Sequence, residues 1–163
     1  MSDDDQRISR IEIDSPGVVR FQPDVEREIE VAVFDLVQDN RFRPEPEHFG
    51  GNPSGPYALT LAIAENRLNF RITAEGGADV GTLPVPVGSF RKIIKDYFMV
   101  CESYYQAIRT ATPSQIEAID MGRRGLHDEG SERLRNQLAG RIDIDHATAR
   151  RLFTLICALH IRG

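Results

Sequence analysis

Residues 113–139 read PSQIEAIDMGRRGLHDEGSERLRNQLA, and whether this stretch is one helix or two decides how the C-terminal half of the chain is built. Ile116, Ile119, Gly122, Leu126, Gly130, Leu134 and Leu138 follow at intervals of 3, 3, 4, 4, 4 and 4 residues. That spacing holds them on one face of a continuous helix. Gly122 and Gly130 then become points where a neighbouring helix approaches closely. In the other reading Gly122, Gly125 and Gly130 break the helix, each at a cost of about 1 kcal/mol relative to alanine. Residues 122–130 would then form a loop, with Asp128 or Ser131 capping a second helix. The continuous helix, with at most one kink, is preferred because the apolar spacing survives the glycines.

The same stretch carries the densest group of potentially chemical side chains in the chain. Asp120 could orient His127 as a general base while Arg123 stabilises negative charge and Arg124 lies further out. Asp, Arg and His three to seven residues apart on a helix also arise by chance, and a salt-bridged face that fixes helix packing is the better-supported reading.

Outward from this stretch, the chain sorts into strands first and helices afterwards. Ile11 and Ile13 alternate with Arg10 and Glu12 in a first strand over residues 7–13. Pro23 opens a helix that runs to about Asn40, with Val25, Ile29, Val33 and Leu36 as its apolar stripe. Residues 41–56, rich in proline and glycine, read as a long loop, a rigid connector in preference to a lid. Tyr57, Leu59, Leu61 and Ile63 form one arm of a hairpin, Glu65-Asn66-Arg67 the turn, and Leu68, Phe70 and Ile72 the return. Val80 to Val85 is a further strand, and Pro84 places it at an edge. Ser89 is the expected N-cap of a helix carrying Phe90, Ile93, Ile94, Tyr97, Val100, Cys101, Tyr104 and Ile108. Thr112-Pro113 separates that helix from the next, and Asp145 caps the last one, which carries Ala149, Leu152, Phe153, Ile156 and Leu159.

The order β-α-β-β-β followed by three helices predicts an α+β fold, a small antiparallel sheet packed against a C-terminal set of three helices. Residues 1–6 are expected to be a disordered acidic tail and residues 7–163 a single domain. A chain of 163 residues is long enough to bury a substantial core.

Composition excludes more than it identifies. Net charge is −5, which argues against general nucleic-acid binding. Such binding would need Arg123, Arg124, Arg150 and Arg151 to form one basic surface. No segment reads as a signal peptide or membrane span, so the expected location is cytoplasmic. Cys101 and Cys157 have no metal-ligand spacing and are expected as buried free thiols. The histidines, His48, His127, His146 and His160, lie in no metal motif, and neither a metal nor a cofactor is implied.

Ile116-Glu-Ala-Ile-Asp-Met-Gly-Arg-Arg-Gly-Leu-His-Asp-Glu-Gly130, with Asp145-His-Ala-Thr-Ala-Arg-Arg-Leu-Phe-Thr-Leu-Ile-Cys157, resembles a bacterial protein family carried as uncharacterised. Gly55-Pro-Tyr-Ala-Leu59 and Glu65-Asn-Arg-Leu68 fit the same family. The resemblance covers nearly the whole chain after the tail. It implies a small bacterial cytosolic protein, and it brings no activity, cofactor or catalytic residue.

Two functional readings follow. The first is a non-enzymatic binding or regulatory protein that presents a helical surface to a protein partner or a small acidic ligand. The second is a small enzyme or an anion- or phosphate-ligand site worked by Asp120, Arg123, Arg124 and His127, in a pocket lidded by the 41–56 loop. Oligomerisation through the apolar C-terminal helices is left open.

Overall fold

The alternation read at residues 57–73 builds the centre of the fold. β3 (Tyr57–Ala64) and β4 (Arg67–Ala74) pair antiparallel from Tyr57↔Ala74 to Ala64↔Arg67. Glu65 and Asn66 turn between them with φ of 55° and 61°, the double positive φ of a tight hairpin turn. β5 (Asp79–Pro86) adds antiparallel to β4 and is an edge, as Pro84 requires. The pairing slips between Ile72 and Thr73, opposite Gly81 at φ 151°. A Cβ on Gly81 would lie 2.8 Å from the Phe49 ring, so backbone conformation and space both call for glycine there.

β1 (Ile8–Asp14) lies on the other side of β3 and runs parallel to it, which makes the four-stranded sheet β1-β3-β4-β5 mixed. The α+β class holds, and the expectation of a wholly antiparallel sheet is corrected at this strand. A parallel neighbour requires a crossover, and α1 (Pro23–Gln38) lies within that connection.

The computed structural model describes residues 5–14, 23–50 and 54–160. Residues 1–4 of the expected tail lie outside this range, as do the side chain of Val25 and residues 51–53. Gln6, assigned to the tail, is buried: its side chain accepts a hydrogen bond from the Tyr57 hydroxyl at 3.1 Å and its carbonyl accepts from Phe42 N at 2.9 Å.

The 41–56 stretch holds two elements that periodicity alone did not expose. β2 (Phe42–Pro44) pairs antiparallel with β6 (Ile142–Ile144), and α2 (Pro46–Phe49) is a single short turn of helix. Strands of three residues are too short to show alternation. Phe42, Ile142 and Ile144 nonetheless belong to the core.

Three long helices complete the fold. α3 (Gly88–Thr110) starts one residue before Ser89, with Val87 at the N-cap and no side-chain cap. Val87 is buried and its N–H donates to Asn66 O at 3.3 Å, so the helix begins directly from the pinned end of β5. α4 (Pro113–Leu138) is one uninterrupted helix of 26 residues. Thr112 and Gln115 cap it reciprocally, worth about 1 kcal/mol. α5 (His146–His160) is capped by Asp145, whose carboxylate accepts from Thr148 N at 2.8 Å.

The expected face of α4 is only partly buried. Leu134, Leu138 and Gly130 are buried, whereas Gly122 is exposed with open space around it. The assignment of Gly122 as a close-contact point is therefore corrected, because among the described residues nothing lies within 4 Å of a Cβ placed there. At Gly130 the assignment stands: a Cβ would run into the ring of Phe153 on α5.

Candidate functional site

α1 packs along α5 and β1, and its C-terminal end is held by a dense set of hydrogen bonds. The Asn40 amide clamps Ile8, accepting from its N–H at 2.6 Å and donating to its carbonyl at 2.9 Å. Arg41 N donates to Thr148 Oγ1 at 2.9 Å, and Arg151 Nη1 donates to Asp39 O at 2.5 Å. Further toward its N-terminus, the Tyr105 hydroxyl of α3 donates to Glu28 at 2.5 Å. Held this way, α1 forms one wall of a cleft of about 750 Å³, and α3, α4 and α5 supply the rest.

Each helix lines the cleft with one face. α1 contributes Arg27, Glu28, Val31, Ala32 and Asp35; α3 contributes Tyr97 and Tyr105. α4 contributes Arg123, Arg124 and His127, and α5 contributes Arg150, Arg151 and Thr154. Five arginines therefore meet two carboxylates in the lining of one concavity. Its volume is in the range of small-molecule sites.

Most of these arginines are held at one end. Asp120 accepts from Arg123 Nε at 3.1 Å and Nη2 at 2.7 Å through Oδ1, and pairs with Arg124 Nη2 at 2.6 Å through Oδ2. The Arg123 bond, together with Arg124, holds the Asp120 carboxyl below its usual range. Burial, the largest single influence, works against the charge of Arg123, but the Asp120 bond and the neighbouring Tyr97, Asp120 and Cys101 together raise the guanidinium pKa. The same guanidinium carbon lies 4.6 Å from the centroid of the Tyr104 ring. On α5, Arg150 pairs with Asp128. His146 joins that group, its Nδ1 lying 2.8 Å from Glu132 Oε1.

His127 is placed differently from the sequence expectation. It is buried, with ring centroids 5.5 Å from Tyr97 and 5.3 Å from Phe153. Its Nε2 lies 2.8 Å from Thr154 Oγ1, and the Thr154 hydroxyl donates to Arg150 O at 3.2 Å. Both bonds form together only if Nε2 carries the proton and donates. Burial, with Arg150 next, pulls the His127 pKa down to about 4. The ring is therefore neutral at pH 7 and a weak base.

The expected acid–base pair is not assembled. Asp120 is committed to Arg123 and Arg124, and His127 to Thr154, so Asp120 does not orient His127. Asp120 backs the cleft without lining it. None of the described residues of 41–56 lines it either, so among them nothing lids this site.

Burial raises the pKa of Tyr97, Cys101 and Cys157, and the two cysteines are free and buried as expected. Burial and the Glu28 bond raise Tyr105 as well. None of these groups is a ready nucleophile at neutral pH. Among the described residues no group of His, Cys, Asp and Glu is arranged to hold a metal ion, and no helix is long and apolar enough to cross a membrane.

The family described as "Uncharacterised protein family (UPF0262)" matches residues 5–162. The chain belongs to this family. Three UPF0262 proteins show how closely its members follow one another. The one from Brucella anthropi is 55% identical over 157 residues, covering 96% of this chain and 95% of its own. The one from Rhizobium etli is 52% identical over 163 residues and covers both chains fully. The one from Rhizobium meliloti is 57% identical over 144 residues, covering 88% of each chain. The family has no assigned function, and nothing in these comparisons favours an enzyme. No solved structure matches the chain significantly.

Sequence reasoning placed Arg123, Arg124 and His127 at one site and missed the opposite wall. Arg27, Glu28, Val31 and Asp35 lie at helical spacing on α1, but their partners are about a hundred residues away. The adjacent pair Arg150-Arg151 and Thr154 four residues on were visible on α5, without any sign that α4 and α5 turn them toward the same space.

Proposed function

We propose that this protein is a non-enzymatic binding protein of the bacterial cytoplasm whose four-helix cleft takes a small acidic ligand. The observation that carries the reading is the convergence of five arginines from three helices on one cleft, in a chain of net charge −5. Guanidinium groups recognise carboxylate and phosphate through planar, paired donors. Val31, Ala32, Tyr97 and Tyr105 add apolar and aromatic surface for the body of a ligand. The buried free thiols Cys101 and Cys157 suit a reducing compartment.

Binding fits this geometry better than catalysis. His127 is locked, neutral and weakly basic, and the hydroxyls beside it are committed to backbone carbonyls, Thr154 to Arg150 O and Ser131 to His127 O. Nucleic acid fits less well than a small anion: Arg123, Arg124, Arg150 and Arg151 do converge, but within a concavity, interleaved with Glu28, Asp35 and their backing carboxylates.

Thermal unfolding with a panel of anions tests the reading. A ligand present at a hundred times its Kd adds about 2.7 kcal/mol of stability. For a chain of this size that corresponds to a rise in Tm of about 5–10 °C. The doubly substituted Arg124→Gln/Arg151→Gln protein should lose the rise. If phosphate, dicarboxylates and nucleotides all shift the two proteins equally or not at all, the cleft is not an acidic-ligand site.

A second reading rests on a different surface. Phe34 is 63% exposed and, with Ile29, Val33 and Val37, lines a shallow apolar groove on the outer side of α1. Exposed apolar surface of this kind suits a protein partner. Phe34→Glu should abolish capture of such a partner while leaving anion-dependent stabilisation intact.

A further inference from the structure

We infer that the ligand of the cleft is a small molecule carrying two separated anionic groups, one for each of two arginine pairs; the inference rests on the acidic-ligand reading above. The pairs are Arg123/Arg124 on α4 and Arg150/Arg151 on α5. Each is braced from behind by groups outside the cleft lining: Asp120 holds the first pair, and Asp128 with the Asp39 carbonyl holds the second.

Bracing leaves each guanidinium partly uncommitted. Arg124 and Arg151 each have one Nη engaged, so among the described residues their remaining donors have no protein partner. Arg150 likewise engages only Nη1. A guanidinium held at one end has already lost most of its rotamer freedom, so an anion arriving at the other end orders less.

Between the pairs stands an uncharged bridge. The His127–Thr154 hydrogen bond joins α4 to α5 at 2.8 Å, and its ring feels both Arg150 and Arg123. With Thr154 donating to Arg150 O and His127 donating to Thr154, this bridge offers an anion no free donor from either group. The α4 and α5 walls of the cleft therefore present positive charge, then an uncharged segment, then positive charge again. A ligand of matching pattern has acidic groups at its two ends and an uncharged middle, as in an α,ω-dicarboxylate or a phosphate ester of a hydroxy acid.

Linking two anions makes the second contact intramolecular, which raises affinity well beyond either contact alone. Titration calorimetry on the full chain can read this directly. The probes are a homologous series of linear dicarboxylates, monocarboxylates of equal length, a carboxylate–phosphate ester and inorganic phosphate. The expected result is a dianion bound at least tenfold tighter than its monoanion, with an optimum at one chain length. Arg124→Gln and Arg151→Gln should each bring that dianion to the monoanion's level. Both residues are at the surface, and an unchanged circular dichroism spectrum checks that the variants fold.

Equal affinity for mono- and dianions, or binding of inorganic phosphate alone, overturns the two-anion inference and leaves the acidic-ligand reading standing. Failure of every anion to bind overturns both. Preference for the phosphate ester over all dicarboxylates, lost in both variants, supports the inference and identifies one end as phosphate.

Discussion

The two halves of α4 look alike in sequence and differ in almost every physical respect. Both place a glycine on the apolar face and both carry charged residues at spacings of three and four. In residues 113–126, Gly122 and Gly125 have open space where a side chain would go, and Met121 is 66% exposed. In residues 127–138, Gly130 lies against Phe153, and Ser131, Leu134 and Leu138 are fully buried. The lesson is that a glycine in step with an apolar stripe marks close packing only where another element crosses it. α5 crosses the second half; the first half extends along the cleft rim, where Arg123 and Arg124 line the opening.

The sharpest way to break this contrast is the same substitution made in each half. Gly130→Ala drives a Cβ into a ring that sits fully buried, and no flexible end can swing aside. Overpacking of this kind costs about 3 kcal/mol. Urea denaturation should show it as a lower midpoint with an unchanged slope. Phe153→Leu in the same chain should recover part of the loss, since the two residues share one space. A Gly130→Ala protein as stable as the parent would mean that α4 and α5 do not meet there.

His127 stands at the boundary between the halves and should give the next largest effect. Its folded pKa, about 4, lies below the ordinary value of 6.5. Above pH 6.5 the ring is neutral in both folded and unfolded chains, and it contributes no pH dependence. Between 6.5 and 4 the unfolded chain takes up the proton first, so stability falls as pH falls. Below 4 both states are protonated and the loss is complete. By pH 5 the deficit amounts to about 2 kcal/mol. Subtracting the profile of His127→Gln from that of the parent isolates it. Identical profiles would place His127 in water rather than against Tyr97 and Phe153.

How far the molecule could be read from its sequence follows from the same physics. The hairpin, the edge strand at Pro84, the helix boundary at Thr112-Pro113, the Asp145 cap and the three C-terminal helices were all legible, because each depends on neighbours within a few residues. β2 and β6 were not: three-residue strands show no period, and their partners are about a hundred residues apart. The parallel placement of β1 depends on a crossover, which strand composition does not encode. At the site, Arg123, Arg124 and His127 were found through their density on one helix. Their relations were misread, because Asp120 had an arginine three residues away and a second four residues away, and His127 had an unseen partner in Thr154. The α1 wall was invisible for want of any local signal.

Gly122→Ala and Gly125→Ala return to the comparison from the other side. With nothing among the described residues within 4 Å of either position, a methyl group meets no obstacle. The substitution then removes only the backbone freedom that glycine brings to a helix interior. Each should stabilise the protein by about 1 kcal/mol. The same Gly→Ala exchange thus carries opposite signs in the two halves of one helix. Destabilisation at 122 would reveal an element packed there that the fold does not provide.

Asp120→Asn should have the smallest effect, and its size separates two kinds of polar cluster. Asp120 braces Arg123 and Arg124, and Arg124 is 69% exposed, so solvent screens much of the attraction. Removing the charge should lower stability only slightly at low salt and still less at high salt. A loss several times larger, and insensitive to salt, would mean that the carboxylate holds the fold as His127 and Gly130 do. A small, screened loss instead leaves Asp120 with one physical consequence, the orientation of two guanidiniums at the rim of a cleft. That consequence is measured in what the cleft binds, since the stability of α4 depends on its other half.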